Sequence, residues 1–169
     1  VNTYPITPAG GVDNNYSFTY VNGTLTITKA TPVITWNNPA AITYGTLLSA
    51  TQLNASSGVA GTFTYTPASG ALLNAGANQN LSVNFVPTDA VNYNSVLGTT
   101  VQITINKALL TATAENKSRV YGAANPALTI AYTGFVNSET SAVIDSQPTA
   151  GTVATVLSDV GAYLITLTG

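Results

Sequence analysis

The residues that carry most enzyme chemistry are absent from this chain. It contains no His and no Cys, so nucleophiles that depend on an imidazole base or on a thiolate are excluded. For acyl transfer only a Ser–Lys or Thr–Lys pair remains, and Lys29 and Lys107 occupy equivalent repeat positions, which a structural role explains. We therefore predict that the chain is not an enzyme, with no catalytic residue and no cofactor-binding residue.

The acidic side chains are too dispersed for chemistry that needs two carboxylates across a cleft. The chain has six of them, namely Asp13, Asp89, Glu115, Glu139, Asp145 and Asp159. Asp13 and Asp89 each stand shortly before an Asn-Tyr pair, where their oxygens could bind Ca²⁺ at a junction between repeats. The alternative is a turn in which the carboxylate accepts backbone N–H groups. Because no Asp-x-Asp run concentrates charge, the turn is the favoured interpretation.

The two junction lysines allow a second alternative, an intramolecular isopeptide bond to an Asn or Asp side chain. Such a bond needs a buried carboxyl or amide partner close to the amine, and burial of that partner is costly unless it is paired. The sequence identifies no such partner for Lys29 or Lys107. A solvated lysine in a linker is the favoured interpretation.

The composition limits both the fold class and the partners. Charged residues make up 6% and hydrophobic residues 45%, against about 25% charged residues in ordinary soluble domains. Abundant Val, Ile, Thr and Tyr favour pleated strands over disorder. With a net charge of −2 and no basic cluster, we expect no nucleic-acid partner and no direct membrane insertion.

The chain contains an internal repeat. Leu25–Ala30 and Ile103–Ala108 share four of six residues at an offset of 78. An Asn-Tyr pair precedes each block and a Tyr-Gly pair follows it, so the landmarks recur in the same order. The pattern predicts two related units of about 80 residues each.

A second repeat links the two ends of the chain. Residues 160–169 match residues 1–10 at five of ten positions, at an offset of 159. We therefore predict that 1–30 is the C-terminal part of a unit, that 31–107 is a complete unit, and that 108–169 is the N-terminal part of a unit. A neighbouring copy of 1–30 would complete 108–169, either as a separate subunit or as a covalent continuation.

The clearest local signal is Asn22-Gly23, which stands between two alternating runs within Ser17–Thr28. Asn-Gly favours a two-residue β-turn, because both turn positions need positive φ. The predicted hairpin places its apolar residues opposite one another in two pairs, Tyr20 with Leu25 and Phe18 with Ile27. We predict that these four residues form the strand-pairing interface offered to a neighbouring copy.

Most of the remaining chain alternates between apolar and polar residues, and turn signals recur at the spacing of about 8–12 residues that is typical of β-sandwiches. Seven further runs predict strands, at 33–36, 62–66, 81–86, 100–105, 109–114, 128–132 and 163–167. One short helix is predicted near 138–144, with Ser138 as its N-cap and Glu139 in the first turn. The Tyr-Gly pairs are predicted to be turns, because Gly adopts backbone angles that other residues avoid.

Two stretches resemble known repeats of bacterial surface proteins. Ala30–Trp36, Ile42–Thr46, Leu73–Gly76 and Val91–Tyr93 give the unit 31–107 a resemblance to a bacterial Ig-like repeat. A second set of motifs, shared by the start of 108–169 and by 1–30, resembles the opening and the close of an MBG domain of the YGX type: Leu110–Ala114, Lys117–Gly122, Asn125–Leu128, Tyr4–Thr7 and Asn22–Leu25.

The resemblance implies an all-β chain of tandem Ig-like antiparallel β-sandwich domains, in which the MBG-type unit has a β-grasp-like arrangement as an alternative. It also implies a structural repeat of a large secreted bacterial surface protein, located outside the cell, that forms a stalk or an extracellular filament with strand complementation between repeats. Its partners would be neighbouring copies of the same repeat. The alternative is an adhesin module that binds glycans or host or cell surfaces.

Overall fold

A computed structural model describes residues 2–169 as an almost entirely β-structured chain. Val1, which begins the predicted segment 1–30, lies outside the described residues. The strands are β1 Asn2–Ile6, β2 Gly23–Ile27, β3 Ile34–Thr35, β4 Ile42–Thr43, β5 Ser56–Ser57, β6 Gly61–Thr66, β7 Gly76–Pro87, β8 Val96–Asn106, β9 Thr111–Ala114, β10 Ile130–Thr133, β11 Thr149–Thr152 and β12 Ile165–Thr168. The predicted all-β class is confirmed.

The chain divides into two compact units. Unit 1 comprises Val1–Ala41, Leu47–Ala71 and Ala77–Thr104, and unit 2 comprises Ile42–Thr46, Leu72–Gly76 and Ile105–Gly169. Strands β6, β7 and β8 are neighbours in one sheet, and β4 pairs in parallel with the end of β8. The other ladders are antiparallel two-stranded sheets formed by β1 with β2, β3 with β5, β9 with β10, and β11 with β12.

The hydrophobic core of unit 1 follows from the alternation along β7 and β8. Every second residue of each strand points inward, so Leu81, Val83 and Phe85 on β7 are buried, as are Val101 and Ile103 on β8. Leu48 and Leu53, from the preceding loops, are buried with them. The predicted strands at 62–66, 81–86 and 100–105 therefore form, and their period-two pattern assigns the inward face correctly.

An aromatic cluster lies against this core. Phe63 of β6 is opposite Phe85 of β7, with ring centroids 4.8 Å apart. Tyr65 meets Trp36 edge to face at 5.4 Å. The Trp36 indole N–H donates to the carbonyl of Gln52 at 3.0 Å, so the half-buried ring is fixed at both its apolar body and its polar edge.

Gly61, at the start of β6, lies directly under the ring of Phe85. A Cβ built at this position would overlap the Phe85 ring and would come within 2.5 Å of the Val86 carbonyl oxygen. We expect Gly61→Ala to lower the free energy of unfolding of unit 1 by about 1–3 kcal/mol, because the ring must leave its rotamer or the strand must shift. Denaturant unfolding followed by Trp36 fluorescence measures this loss.

The matched control for that prediction is Gly58→Ala. No heavy atom lies within 4 Å of the Cβ built at Gly58, and its φ lies outside the left-handed region. Its effect should stay within about 0.5 kcal/mol. Equal effects at the two glycines would contradict the close approach of Gly61 to Phe85.

The predicted Asn-Gly hairpin is wrong. Residues 16–22 form no strand, and neither Asn22 nor Gly23 has positive φ, so the required turn is not made. Instead β2 pairs with β1, which places Leu25 opposite Tyr4 and Ile27 opposite Asn2. A five-residue ladder to β1 satisfies the backbone of β2, and Pro5, which lacks an N–H group, is tolerated in a strand at a sheet edge.

The predicted helix is a single 3₁₀ turn, Ser141–Val143. Its N-cap is Thr140, whose hydroxyl accepts the N–H of Ala142, and the prediction of Ser138 as the cap is wrong. Ser138 has a φ of 61° and lies in the turn that precedes the helix. Glu139 also lies outside the helix, and its carboxylate is engaged elsewhere in unit 2.

Candidate functional site

The N-terminal segment of the chain is exposed throughout. Every residue from 2 to 30 is exposed, although the segment includes a formed β-ladder. Tyr4 and Ile6 of β1 and Leu25 and Ile27 of β2 point to one face, and each is 49–54% exposed. A two-stranded ribbon with an uncovered apolar face is marginally stable alone, so this face is suited to being covered by another surface.

Phe18 and Tyr20, the other two predicted interface residues, lie outside β2. Their rings stack with centroids 6.2 Å apart and 12° between the planes. Tyr20 Oη accepts the N–H of Gly11 at 2.6 Å, and the Phe18 ring covers the same glycine. The rings are 51% and 45% exposed, so the four predicted interface residues all remain available, though not in the predicted hairpin pairing.

Ile105 is the one buried residue among the described residues of unit 2. No residue from 106 to 169 is buried, although β9 to β12 show the alternation of half-covered strands. The side chains that would form the core line an open cleft of about 740 Å³. Its apolar wall comes from β9, β12, and the segments before β10 and β12: Ala112, Ala114, Leu128, Tyr163, Ile165 and Leu167.

At one edge of this cleft, the segment that precedes β12 pairs with no strand of the described residues. The β11–β12 ladder ends where Thr152 meets Ile165, and no ladder of the described chain includes 161–164. The side chains of Leu164 and Val160 are 75% and 93% exposed. A strand-length stretch beside an apolar cleft, with free N–H and C=O groups, is the arrangement that accepts an added strand.

The opposite rim of the cleft is fixed by polar contacts. Arg119 donates to Asn125 Oδ1 at 2.7 Å and to the carbonyl of Thr155. The Asn125 amide donates in turn to the carbonyl of Ala154 at 2.7 Å. These bonds join the 119–125 loop to the 154–155 loop, and Arg119, Asn125 and Ala154 all line the cleft.

The carboxylates of Asp13 and Asp89 close turns. Asp13 Oδ1 accepts the N–H groups of Asn15 and Tyr16 at 2.7 and 3.0 Å. Asp89 Oδ1 accepts those of Val91 and Asn92, both at 3.1 Å. The favoured turn interpretation is confirmed at both positions. Within residues 2–169 no group of three or more acidic, His or Cys side chains is placed to hold a metal ion.

The Asp89 turn gives a pH-dependent prediction. The hydrogen bond from the Asn92 amide, followed by the backbone N–H groups, holds the pKa of Asp89 below its ordinary value of 3.8. A lowered folded-state pKa stabilises the fold above the unfolded-state pKa, and this contribution is lost as the pH falls through the folded-state pKa.

We therefore expect Asp89→Asn to be less stable than the parent chain near neutral pH, with the difference shrinking as the pH falls to about 2. Thermal unfolding of both chains across this range measures the difference. Asp145→Asn is the control, since the structure resolves no comparable set of hydrogen bonds at Asp145. A difference between Asp89→Asn and the parent chain that is independent of pH would contradict the assignment.

The two junction lysines have different surroundings. Lys29 Nζ donates to the carbonyl of Ala90 at 2.5 Å, so its amine is bound to the backbone rather than to a carboxyl group. Lys107 lines a smaller cavity of unit 2, of about 230 Å³, together with Phe135 and Glu139. These contacts support the structural interpretation of the lysines.

The first Tyr-Gly pair has a role that its sequence does not reveal. Gly45 has a φ of 97°, and Gly122 of the second pair has a φ of 80°, so both predicted turns are confirmed. Tyr44 Oη donates to Glu139 Oε1 at 2.5 Å, and this bond raises the pKa of Tyr44 above its ordinary value. Within unit 2, Tyr44 thus ties residues 42–46 to the turn before the 3₁₀ helix.

Comparison with known proteins identifies one part of the chain. Residues 110–169 match the family model of the MBG domain (YGX type). This stretch, called the MBG segment below, is similar to an MBG domain. The resemblance inferred from sequence motifs is therefore confirmed for 110–169. The MBG resemblance of 1–30, the Ig-like resemblance of 31–107 and the predicted domain bounds stay predictions. No curated protein and no solved structure matches the chain.

The matched MBG segment is the part of the chain that carries the open cleft. It contains β9 to β12 and the 3₁₀ turn, and its apolar side chains line the cleft instead of meeting across a closed core. Across residues 2–169 no helix has the length and apolarity needed to cross a membrane. The part of the chain that matches a known family is therefore also the part that carries the cleft.

Proposed function

We propose that this chain is a structural repeat of a large secreted bacterial surface protein, and that successive β-domains form a stalk or an extracellular filament. Domains of the MBG type are typical of bacterial surface proteins, which supports an extracellular location. In this proposal the chain has no catalytic role, and its partners are neighbouring copies of the same repeat, linked covalently or by self-assembly.

The open cleft of the MBG segment is the observation that carries the proposal. A domain segment of 60 residues with no buried side chain from 106 onward cannot supply much hydrophobic stabilisation alone. The exposed segment 11–30 can supply the missing core side chains. Its strand β2 carries Leu25 and Ile27, which are both more than half exposed. In repeat arrays, stability comes from each unit together with its interface to the next.

Electron microscopy of the native material, together with the mass of the intact polypeptide, tests this function. Regular fibres with an axial repeat of two domains support it. A mass near 17.2 kDa would then mean self-assembling subunits, and a much larger mass would mean one continuous repeat polypeptide. Compact monomers without fibres would contradict the filament.

An adhesin module that binds glycans or host or cell surfaces is the second candidate. Tyr121 and Tyr163 are 61% and 41% exposed and line the same cleft as Asn116 and Asp159. Exposed aromatic rings beside amide and carboxylate oxygens are suited to stacking on and hydrogen bonding to sugars. Saturable binding of an immobilised glycan, lost in Tyr121→Ala, would favour this function over the filament.

A further inference from the structure

We propose that residues 161–165 of unit 2 accept β2 of a second copy as an antiparallel strand, in a register that places Leu25 opposite Tyr163. This inference rests on the proposed function and adds to it the exact strand, edge and register. In this pairing Ile27 lies opposite Gly161 and Gly23 lies opposite Ile165. The second copy supplies the side chains that close the cleft of the MBG segment.

The register follows from the repeat that links the two ends of the chain. Residues 160–169 match residues 1–10 at an offset of 159, and the identical positions include Tyr4 with Tyr163 and Ile6 with Ile165. Within one chain, β1 pairs with β2 so that Tyr4 is opposite Leu25 and Ile6 is opposite Gly23. Moving that ladder by 159 residues gives the proposed pairs.

The side chains of the two strands then point to the correct face. Along a strand alternate residues share a face. All of residues 161–165 line the cleft, but Leu164 is 75% exposed, whereas Tyr163 is 41% exposed and Ile165 is half-buried, so Tyr163 and Ile165 face inward. Leu25 and Ile27 share the face of the residues directly opposite them. In the proposed register Leu25 and Ile27 therefore point into the cleft, while Thr24 and Thr26 point to solvent.

The added strand introduces no buried charge. β2 runs from Gly23 to Ile27 and contains only Gly, Thr, Leu and Ile. The apolar wall of the cleft is formed by aliphatic side chains and the ring of Tyr163, and the charged residues that also line the cleft, Lys117, Arg119 and Asp159, are not buried. Backbone groups of 161–164, which belong to no ladder of the described residues, would be paired by the incoming strand.

In this proposal β1 competes with residues 161–165 of another copy for pairing with β2. β1 occupies the edge of β2 that residues 161–165 of another copy would use, and the five-residue ladder between β1 and β2 lies entirely on exposed residues. Assembly is therefore a strand exchange in which 161–165 replace β1. The exchange replaces the exposed ladder between β1 and β2 with a ladder that covers the apolar cleft.

Disulfide trapping in the full chain tests the register, and the absence of native Cys leaves no background reaction. Directly opposite residues alternate between close and wide spacing, so two in-register variants are needed, one with Tyr163→Cys and Leu25→Cys, the other with Ala162→Cys and Thr26→Cys. The off-register control combines Tyr163→Cys with Thr26→Cys. Mild oxidation followed by a non-reducing gel shows the covalent species.

We expect at least one in-register variant to give a ladder of covalent dimers and higher oligomers, at least about tenfold more than the control. Equal cross-linking in all three variants, or filaments by electron microscopy without in-register cross-links, would overturn the register but leave the filament standing. If no variant and no parent chain assembles, both the register and the proposed filament fail.

A second measurement covers the case in which the Cys variants do not fold. A synthetic peptide of residues 11–30 is added to the ¹⁵N-labelled parent chain, and a peptide with Leu25→Asp and Ile27→Asp serves as the control. We expect the parent peptide to shift the amide resonances of 161–165 and the Asp peptide to bind at least about tenfold more weakly. Equal shifts from both peptides would overturn the proposal.

Discussion

Phe85→Ala is expected to lower the free energy of unfolding of unit 1 by about 3–5 kcal/mol. Phe85 is fully buried, it packs on Phe63 at a centroid distance of 4.8 Å, and Gly61 lies beneath its ring. Removing the ring leaves a cavity that β6 and β7 cannot close, because their ladder fixes the distance between them. Such a loss is a large fraction of the stability of a small domain.

The measurement uses the single Trp of the chain. Trp36 lies in unit 1 and packs on Tyr65, so its fluorescence in a denaturant titration reports that unit. The control is Val86→Ala at the next position, where the side chain is 51% exposed, with an expected change of about 0.5 kcal/mol. A loss below about 1 kcal/mol for Phe85→Ala would show that β7 does not form the core of the unit.

The core of unit 1 was predictable because its signal is local. Leu81, Val83 and Phe85 alternate with polar residues, and a period of two assigns the buried face whatever the partner strands are. The ends of β7 and β8 were less predictable. β7 begins at Gly76 and β8 at Val96, in stretches rich in Asn, Gly and Thr whose pairing depends on the neighbouring strand rather than on their own composition.

The partner of β2 was not predictable from its local sequence. Asn22-Gly23 is a strong turn signal, but a turn forms only when both flanking segments prefer each other to any other strand. β1 offers β2 a five-residue ladder, while Phe18 and Tyr20 instead stack over Gly11. The competing strand lies about twenty residues away, beyond the range of a hairpin rule.

The repeat predicts a partner strand for the MBG segment but not the geometry of its cleft. The match between 160–169 and 1–10 predicts that a segment like 11–30 pairs with 161–165. It does not reveal that Tyr163 and Ile165 line a cleft, or that Arg119 and Asn125 fix the opposite rim. Those facts depend on which loops meet in three dimensions, and no periodicity encodes them.

The low charge of the chain is consistent with the proposed pairing of its strand edges with those of other copies. Strand edges on soluble proteins are usually protected by Lys, Pro or a bulge. Here β2 has no charged residue, and β1 has only Pro5. Edges without such protection favour pairing with other chains, which is a hazard for a free monomer and an advantage for a protein that works as an array.

Extending the chain with a second copy of residues 11–30 after Gly169 is expected to close the MBG segment within one molecule. The appended strand is tethered next to its acceptor, at an effective concentration of about millimolar. Amide hydrogens of 108–169 should exchange at least about tenfold more slowly than in the parent chain, which corresponds to about 1.4 kcal/mol. Hydrogen-exchange mass spectrometry of peptides from this region measures the change.

In the control for the extended chain, Asp replaces the appended copies of Leu25 and Ile27. The control has the same length as the extended chain and is otherwise identical to it. It should exchange like the parent chain, because the Asp side chains cannot enter the apolar cleft without desolvation. The extended chain should also form at least about tenfold fewer intermolecular cross-links in the disulfide assay, since its acceptor edge is occupied. Equal protection from the two extensions would mean that the cleft is not closed by this strand, and that the repeat offset of 159 residues does not mark its partner.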